Sequence, residues 1–217
     1  MSEFAARRVM MVDTQVRPSD VTKFPIIAAM LAVPREVYLP WDRREAAYVG
    51  ENVDIGADRV MLEPRTLAKM LDALDILPTE TVLDIGCGLG YSTAIIARLA
   101  EAVVAIEEND AMASDAQRCL SAENVDNAAV LVAPLHMGDA KHAPYDVIMV
   151  QGGVEAVPDA LIAQLKDGGR IGAVFMEGAL GVARVGHKAN GRVTWRFAFN
   201  ATAPVLSGFR TERAFVL

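Results

Sequence analysis

LDIGCGLGYSTA, residues 83–94, decides the fold. An apolar run carries one acid, Asp84, turns through Gly86, Gly88 and Gly90, and continues into small residues compatible with a helix. A strand that passes through glycines into a helix is the ligand-cradling unit of open α/β sheets. The spacing is G-x-G-x-G, so the third glycine falls one position earlier than in the dinucleotide fingerprint G-x-G-x-x-G. Asp84 stands two residues before the first glycine, where it repels a pyrophosphate and suits a ligand that carries positive charge.

The surrounding sequence supplies a sheet for that loop. TVLDI (81–85), AVVAI (102–106), AAVLVA (128–133), YDVIMV (145–150) and GRIGAVF (169–175) predict strands. YSTAIIARLA (91–100), DAMASDAQRCLSAE (110–123) and PDALIAQL (158–165) predict helices between them. Strands apolar throughout and separated by helices imply a parallel sheet covered on both faces. Upstream, RTLAKMLDALDIL (65–77) puts Leu67, Met70, Leu71, Leu74 and Leu77 on one helical face directly after Pro64. The first 45 residues read as helical, with DVTKFPIIAAMLAV (20–33) capped by Asp20, and residues 46–63 read as irregular. After residue 175 the pattern alternates. GVARVGHK, GRVTWRFAFN and RAFVL predict antiparallel strands, with Ala189-Asn190-Gly191 as a turn.

The expected fold is therefore α/β: a Rossmann-like, doubly wound, mostly parallel sheet with an N-terminal helical extension and antiparallel C-terminal strands. We expect a single domain over 1–217, with an extension over 1–63 and a cofactor-binding core over 64–217.

In such a fold the acid closing the second strand receives ribose hydroxyls, and Glu107 lies there, about 20 residues past the loop. With Asp84 it predicts S-adenosylmethionine, whose ammonium and sulfonium are cationic, in place of a phosphate-rich nucleotide. Cys87 sits within the turn, where a small side chain is all that is required. Gln151 and Gly152 follow the fourth core strand, at the edge where ligands bind, and are expected to border the acceptor.

A net charge of −7 and the lack of a Lys/Arg run argue against nucleic acid as a partner. No apolar run approaches the ~18 residues of a membrane span. The four apolar residues after Arg7 and Arg8 are too few for a signal-peptide core. Cys87 and Cys119 show neither disulfide nor metal spacing. His136 and His142 lie in a loop and His187 on an edge strand, with no ligand cluster around them. The expectation is a cytoplasmic protein with no metal and no membrane partner, its oligomeric state open.

These residues resemble the class I S-adenosylmethionine-dependent methyltransferases and, more narrowly, the protein-L-isoaspartate (D-aspartate) O-methyltransferase family. AAMLAVPREVYLP (28–40) is similar to that family's N-terminal helix and its VPRE turn, and MLEPRTLAKMLDAL (61–74) to the segment before its glycine motif. YDVIMVQGG and LIAQLKDGGRIGAVF are similar to its later strands, and APVLSGF (203–209) to its C-terminal segment. The resemblance implies an O-methyltransferase acting on a carboxylate of damaged aspartyl residues, with a protein or peptide acceptor.

Two departures stand out. The family's Ile-Ser-x-Pro reads Met61-Leu62-Glu63-Pro64 here, so Leu62 replaces the Ser or Thr that contacts the substrate. The family's Gly-Asp after the fourth strand reads Ala133-Pro134, which leaves adenine to backbone near Leu135 or to Asp139. Arg65 has two readings, a partner for the cofactor's methionine carboxylate or an exposed first-turn arginine. Glu63 either caps the helix that follows or faces the substrate. Three alternatives stay open: a paralogue with another protein, peptide or small-molecule acceptor, a non-catalytic S-adenosylmethionine-binding module, and a nicotinamide-dependent enzyme, against which the glycine spacing speaks.

Overall fold

The structure, a computed structural model, describes residues 3–211. Helices α1 (Glu3–Met11) and α2 (Phe24–Ala32) open the chain, joined by short turns. α2 begins with Pro25 in its first turn, where a missing N–H removes no helical hydrogen bond. Asp20 is not its cap. It ends the preceding turn, Arg17–Ser19, in the left-handed conformation at φ 65°, which Asp tolerates.

The stretch 46–63, read as irregular, contains a hairpin. β1 (Val53–Gly56) and β2 (Arg59–Met61) pair antiparallel, with Val53 opposite Met61 and Gly56 opposite Arg59. Ala57 and Asp58 both carry positive φ, 52° and 56°, the turn geometry that matches strand twist. An alanine where Gly or Asn normally stands, on strands of four and three residues, hides this hairpin from pattern reading. Val53, Ile55, Arg59 and Met61 are buried, so an arginine occupies the inward row of the hairpin.

Helix α3 (Pro64–Leu74) buries Leu67, Met70, Leu71 and Leu74. It stops where Asp75 turns left-handed at φ 49°, so Leu77 falls outside the helix and is 49% exposed, contrary to its expected place on the apolar face.

The core then alternates β3 (Thr81–Ile85), α4 (Tyr91–Ile96), β4 (Ala102–Glu107), α5 (Asp110–Ala122), β5 (Ala128–Val132), β6 (Tyr145–Val154), α6 (Asp159–Ala163) and β7 (Leu165–Glu177). α4 is shorter than its sequence pattern because its backbone tightens, Leu99 N–H donating to the Ile96 carbonyl. β8 (Leu180–Ala189) and β9 (Arg192–Asn200) complete a seven-stranded sheet in the order β5-β4-β3-β6-β7-β8-β9. β3 to β7 pair parallel and the last two strands antiparallel, joined through Asn190 and Gly191 at positive φ. β8 lies between β7 and β9, so His187 is on an inner strand and not an edge. The expected strand RAFVL lies outside the described residues.

Alternate residues of one strand pack to opposite faces: Leu83 and Ile85 join one apolar cluster and Val82 the other. Both sheet faces are thus covered, as the apolar strands required. The sheet order reverses between β3 and β6, and the crevice at their carboxyl ends is where this architecture binds ligands. Residues 203–209 return across that end, with Gly153 N–H donating to the Pro204 carbonyl at 2.8 Å and Leu206 N–H to the Gly153 carbonyl at 2.9 Å. Among the described residues no helix is long and apolar enough to cross a membrane.

Candidate active site

Gly86, Gly88 and Gly90 carry φ of 78°, 56° and 95°, so the loop between β3 and α4 follows a path that L side chains rarely adopt. Beneath it, Asp84 is fully buried. Ser92 and Thr93, in the first turn of α4, each donate a hydroxyl to its Oδ2 at 2.7 Å, and Gln151 Nε2 donates to Oδ1 at 2.7 Å. Burial pushes the Asp84 carboxyl up, opposed by these three donors. Three of about four acceptor positions are engaged internally. In this structure Asp84 ties β3, α4 and β6 together under the loop.

Glu107 ends β4 fully buried. Its carboxylate accepts the Gly88 N–H at 2.9 Å, the Glu108 N–H at 3.0 Å and the Asn109 N–H at 3.2 Å, so the backbone pre-orients it. It is not free. Arg59 Nη1 stands 2.9 Å from each carboxylate oxygen, and Arg59 Nη2 donates to the Gly86 carbonyl. The acid expected to receive a ribose is held by an arginine from the hairpin.

Beside the loop a small cavity of about 20 Å³ remains, with Gly86, Cys87, Ser92 and Gln151 on one side and Ile55, Met61 and Leu62 on the other. The structure thus brings Leu62 and Gln151 into one wall system with the glycine loop. Gly152 does not reach it, because Leu206 packs directly over that glycine. Burial, reinforced by Asp84 and Glu107, pushes the Cys87 thiol well up, which keeps it protonated and poorly nucleophilic.

Other expected residues go elsewhere. Arg65 is 41% exposed and donates to the Asn200 carbonyl at 3.2 Å, over the Phe199 ring. It faces the end of β9 and not the glycine loop. Glu63 sits at the start of α3, where its carboxylate accepts the Thr66 hydroxyl at 2.6 Å and makes no backbone cap. Leu135 is fully buried in the second apolar cluster. Asp139 is taken by His142 and by the Tyr145 hydroxyl at 3.0 Å, so it does not fold back over the site. Among the described residues no His, Cys, Asp and Glu side chains cluster to hold a metal.

Two arginines were not singled out by sequence reasoning. Arg35, in the VPRE turn, is fully buried and donates to the Ala47 and Leu62 carbonyls at 2.6 Å each. Its guanidinium lies 4.9 Å over the Tyr91 ring. Arg59 had one readable signal, a charge placed in the inward row of a short alternating hairpin.

A glycine loop, a backbone-oriented acid and a crevice at the reversal of strand order define a nucleoside-binding α/β protein of the doubly wound class. The chain belongs to the protein-L-isoaspartate(D-aspartate) O-methyltransferase (PCMT) family, whose model matches residues 8–198. It is 37% identical over 171 residues to the protein-L-isoaspartate O-methyltransferase of Syntrophus aciditrophicus, covering 79% of this chain and 78% of that one. Protein-L-isoaspartate O-methyltransferase 1 of Rhodopseudomonas palustris is 37% identical over 170 residues, covering 78% and 69% of the two chains. A solved protein-L-isoaspartate O-methyltransferase superposes with a TM-score of 0.80 at 23% identity, over 93% of this chain and 66% of the other. A putative protein-L-isoaspartate O-methyltransferase from Plasmodium falciparum, in complex with S-adenosyl-L-homocysteine, gives 0.79 at 18% identity, over 92% and 97%.

Proposed function

We propose that this chain is an S-adenosylmethionine-dependent O-methyltransferase that esterifies a carboxylate of isoaspartyl residues in proteins. The observation that carries this reading is the shared cavity in which the glycine loop meets the segment of Leu62, in a chain of this family. The atoms nearest a Cβ on Gly86 belong to the Arg59 and Leu206 side chains and the atom nearest one on Gly88 to Ile55, so movable side chains stand where the loop would receive a cofactor. Gly86 and Gly88 would cradle the cofactor and Glu107 would take its ribose hydroxyls.

S-adenosylmethionine supplies, when bound, an electrophilic methyl group on a sulfonium. The acceptor carboxylate, with a pKa near 4, is already ionised at neutral pH, so the chain has no proton to remove. Its work is to exclude water and to align an oxygen with the methyl group. Ile55, Met61 and Leu62 give the cavity an apolar wall that does the first. Gln151 and Ser92, two of its polar side chains, are both held in place by Asp84.

Leu62 favours a second reading. Leu62 stands where the family resemblance places a Ser or Thr, so that segment offers no hydroxyl to a polar isoaspartyl backbone, which supports a paralogue with a different carboxylate acceptor. Transfer of labelled methyl to an isoaspartyl peptide and to its aspartyl twin separates the two. Base-labile labelling of the isoaspartyl peptide alone supports the first reading. Labelling of neither, by protein that binds S-adenosylhomocysteine, supports the second reading or a non-catalytic binding module.

A further inference from the structure

The hairpin β1–β2 belongs to no larger sheet, and a free two-stranded ribbon is marginally stable by itself. It is held down by side chains. A Cβ on Gly88 would lie 2.5 Å from Ile55, and one on Gly86 would lie 2.6 Å from Arg59 Nη2, so both side chains rest directly on the loop. Arg59 is 4% exposed, with its fork on the Glu107 carboxylate and the Gly86 carbonyl and its Nε without a partner.

Two spaces lie beside the hairpin, Ile55 and Met61 lining the inner one and Arg59 the outer one. Inside is the cavity of about 20 Å³, enough for roughly one water. Outside is a cleft of about 810 Å³ lined by Arg59, Glu108, Glu155 and the returning segment at Pro204 and Ser207. Nucleoside-sized ligands need roughly 300 Å³ or more. A nucleoside whose ribose sat on Glu107 would need the volume that the Arg59 guanidinium fills at that carboxylate.

We propose that Arg59 is a latch that competes with the cofactor's ribose for the Glu107 carboxylate, so that loading requires the β1–β2 hairpin to lift. This rests on the S-adenosylmethionine reading above. One carboxylate cannot serve both partners, and the apparent affinity falls by the fraction of molecules that are unlatched. The released guanidinium has new partners in the cleft it already lines: among the described residues neither Glu108 nor Glu155 is in an ion pair.

Cys87 is a built-in reporter, 6% exposed in the inner cavity under the hairpin. In a Cys119→Ser background it is the single thiol. Its alkylation by N-ethylmaleimide, without cofactor, should be roughly tenfold or more faster in Arg59→Met and Arg59→Ala, because a local opening is made easier. In the unaltered hairpin, labelling should depend only weakly on urea, as local opening exposes little surface. Equal labelling rates, or labelling of wild type only with the full urea dependence of global unfolding, would overturn the latch. The second criterion uses wild type alone and survives a variant that fails to fold.

Stopped-flow binding of S-adenosylhomocysteine separates the two readings. The latch expects an observed rate that saturates with ligand in wild type and rises linearly in Arg59→Met. Faster labelling with no binding by either protein keeps Arg59 as the bolt that holds the hairpin down, but removes the cofactor reading and with it the competition at Glu107. Binding at equal rates with unchanged labelling does the reverse.

Discussion

Gln151, at the carboxyl end of β6, donates its side-chain amide to Asp84 on β3 at 2.7 Å, across the seam where the sheet order reverses. With Ser92 and Thr93 on the other oxygen, a single buried acid fixes both walls of the crevice. Asp84→Ala leaves three buried donors unpaired, and at roughly 1 kcal/mol or more for each the fold should lose about 3 kcal/mol. A urea titration should show a lower midpoint at an unchanged slope. An unchanged midpoint together with lost cofactor affinity would make Asp84 a direct ligand instead.

The same acid shows what the sequence made legible. Strands β3, β4, β6 and the middle of β7 announced themselves because each is buried on both faces, and an apolar run is the local trace of that burial, while β5 at the sheet edge is only half-buried. The glycine loop and Glu107 were legible because both sit at strand ends, where chain direction alone places them. Partners were not. Glu107 and Arg59 are 48 residues apart, and only the folded hairpin brings them together. Asp84 looked like a ligand group because an acid beside a glycine turn reads as exposed. Its hydroxyl partners eight and nine residues on become visible once strand, loop and helix fold back on one another. Arg65 takes the second of its two readings, a partly exposed first-turn arginine whose guanidinium lies over the Phe199 ring.

Leu62 lies in the apolar wall between the glycine loop and α3, 4% exposed. Leu62→Ser returns a hydroxyl to the position that the family resemblance marks for substrate contact. A single orienting donor is worth roughly 10²-fold in rate at comparable sites, so kcat/KM on an isoaspartyl peptide should rise by about that factor. Affinity for S-adenosylhomocysteine should not change. Removing buried methyl groups should also lower stability by about 2–4 kcal/mol, so the assay belongs well below the variant's Tm. A folded variant with no gain on the isoaspartyl peptide would show that Leu62 is not what sets the acceptor.

Arg35 holds that wall from behind. Its Nε and Nη2 bind the carbonyls of Ala47 and Leu62, while Nη1 has no partner and burial holds the guanidinium below the usual arginine range. Arg35→Met keeps most of the volume over Tyr91 but strands two buried carbonyls. We expect a loss of about 3 kcal/mol, which for a chain of this size is a fall of roughly 6–12 °C in Tm by calorimetry. Arg35→Lys should recover only part of it, since an ammonium lacks the fork that reaches both carbonyls. An unchanged Tm in Arg35→Met would mean that the desolvation of the guanidinium cancels its hydrogen bonds.

Acid stability should report on Glu80. Burial pushes its carboxyl up, but the forked hydrogen bonds from Arg170, at 2.7 and 2.8 Å, and the Leu77 N–H at 2.8 Å outweigh burial and hold it below its usual value. A carboxyl whose folded value is depressed contributes its stability in full above the unfolded value, near 4.3, and loses it as pH falls through the folded one. Wild type should therefore lose Tm steadily as pH drops below about 4.3. Glu80→Gln should be less stable at neutral pH and show a shallower slope over that acid range. Some slope should persist, because Asp146 is also depressed: burial raises its carboxyl, but hydrogen bonds from Lys166 and the Thr81 N–H outweigh this. Parallel Tm curves for the two proteins across that range would show that Glu80 titrates no differently in the folded and unfolded chains.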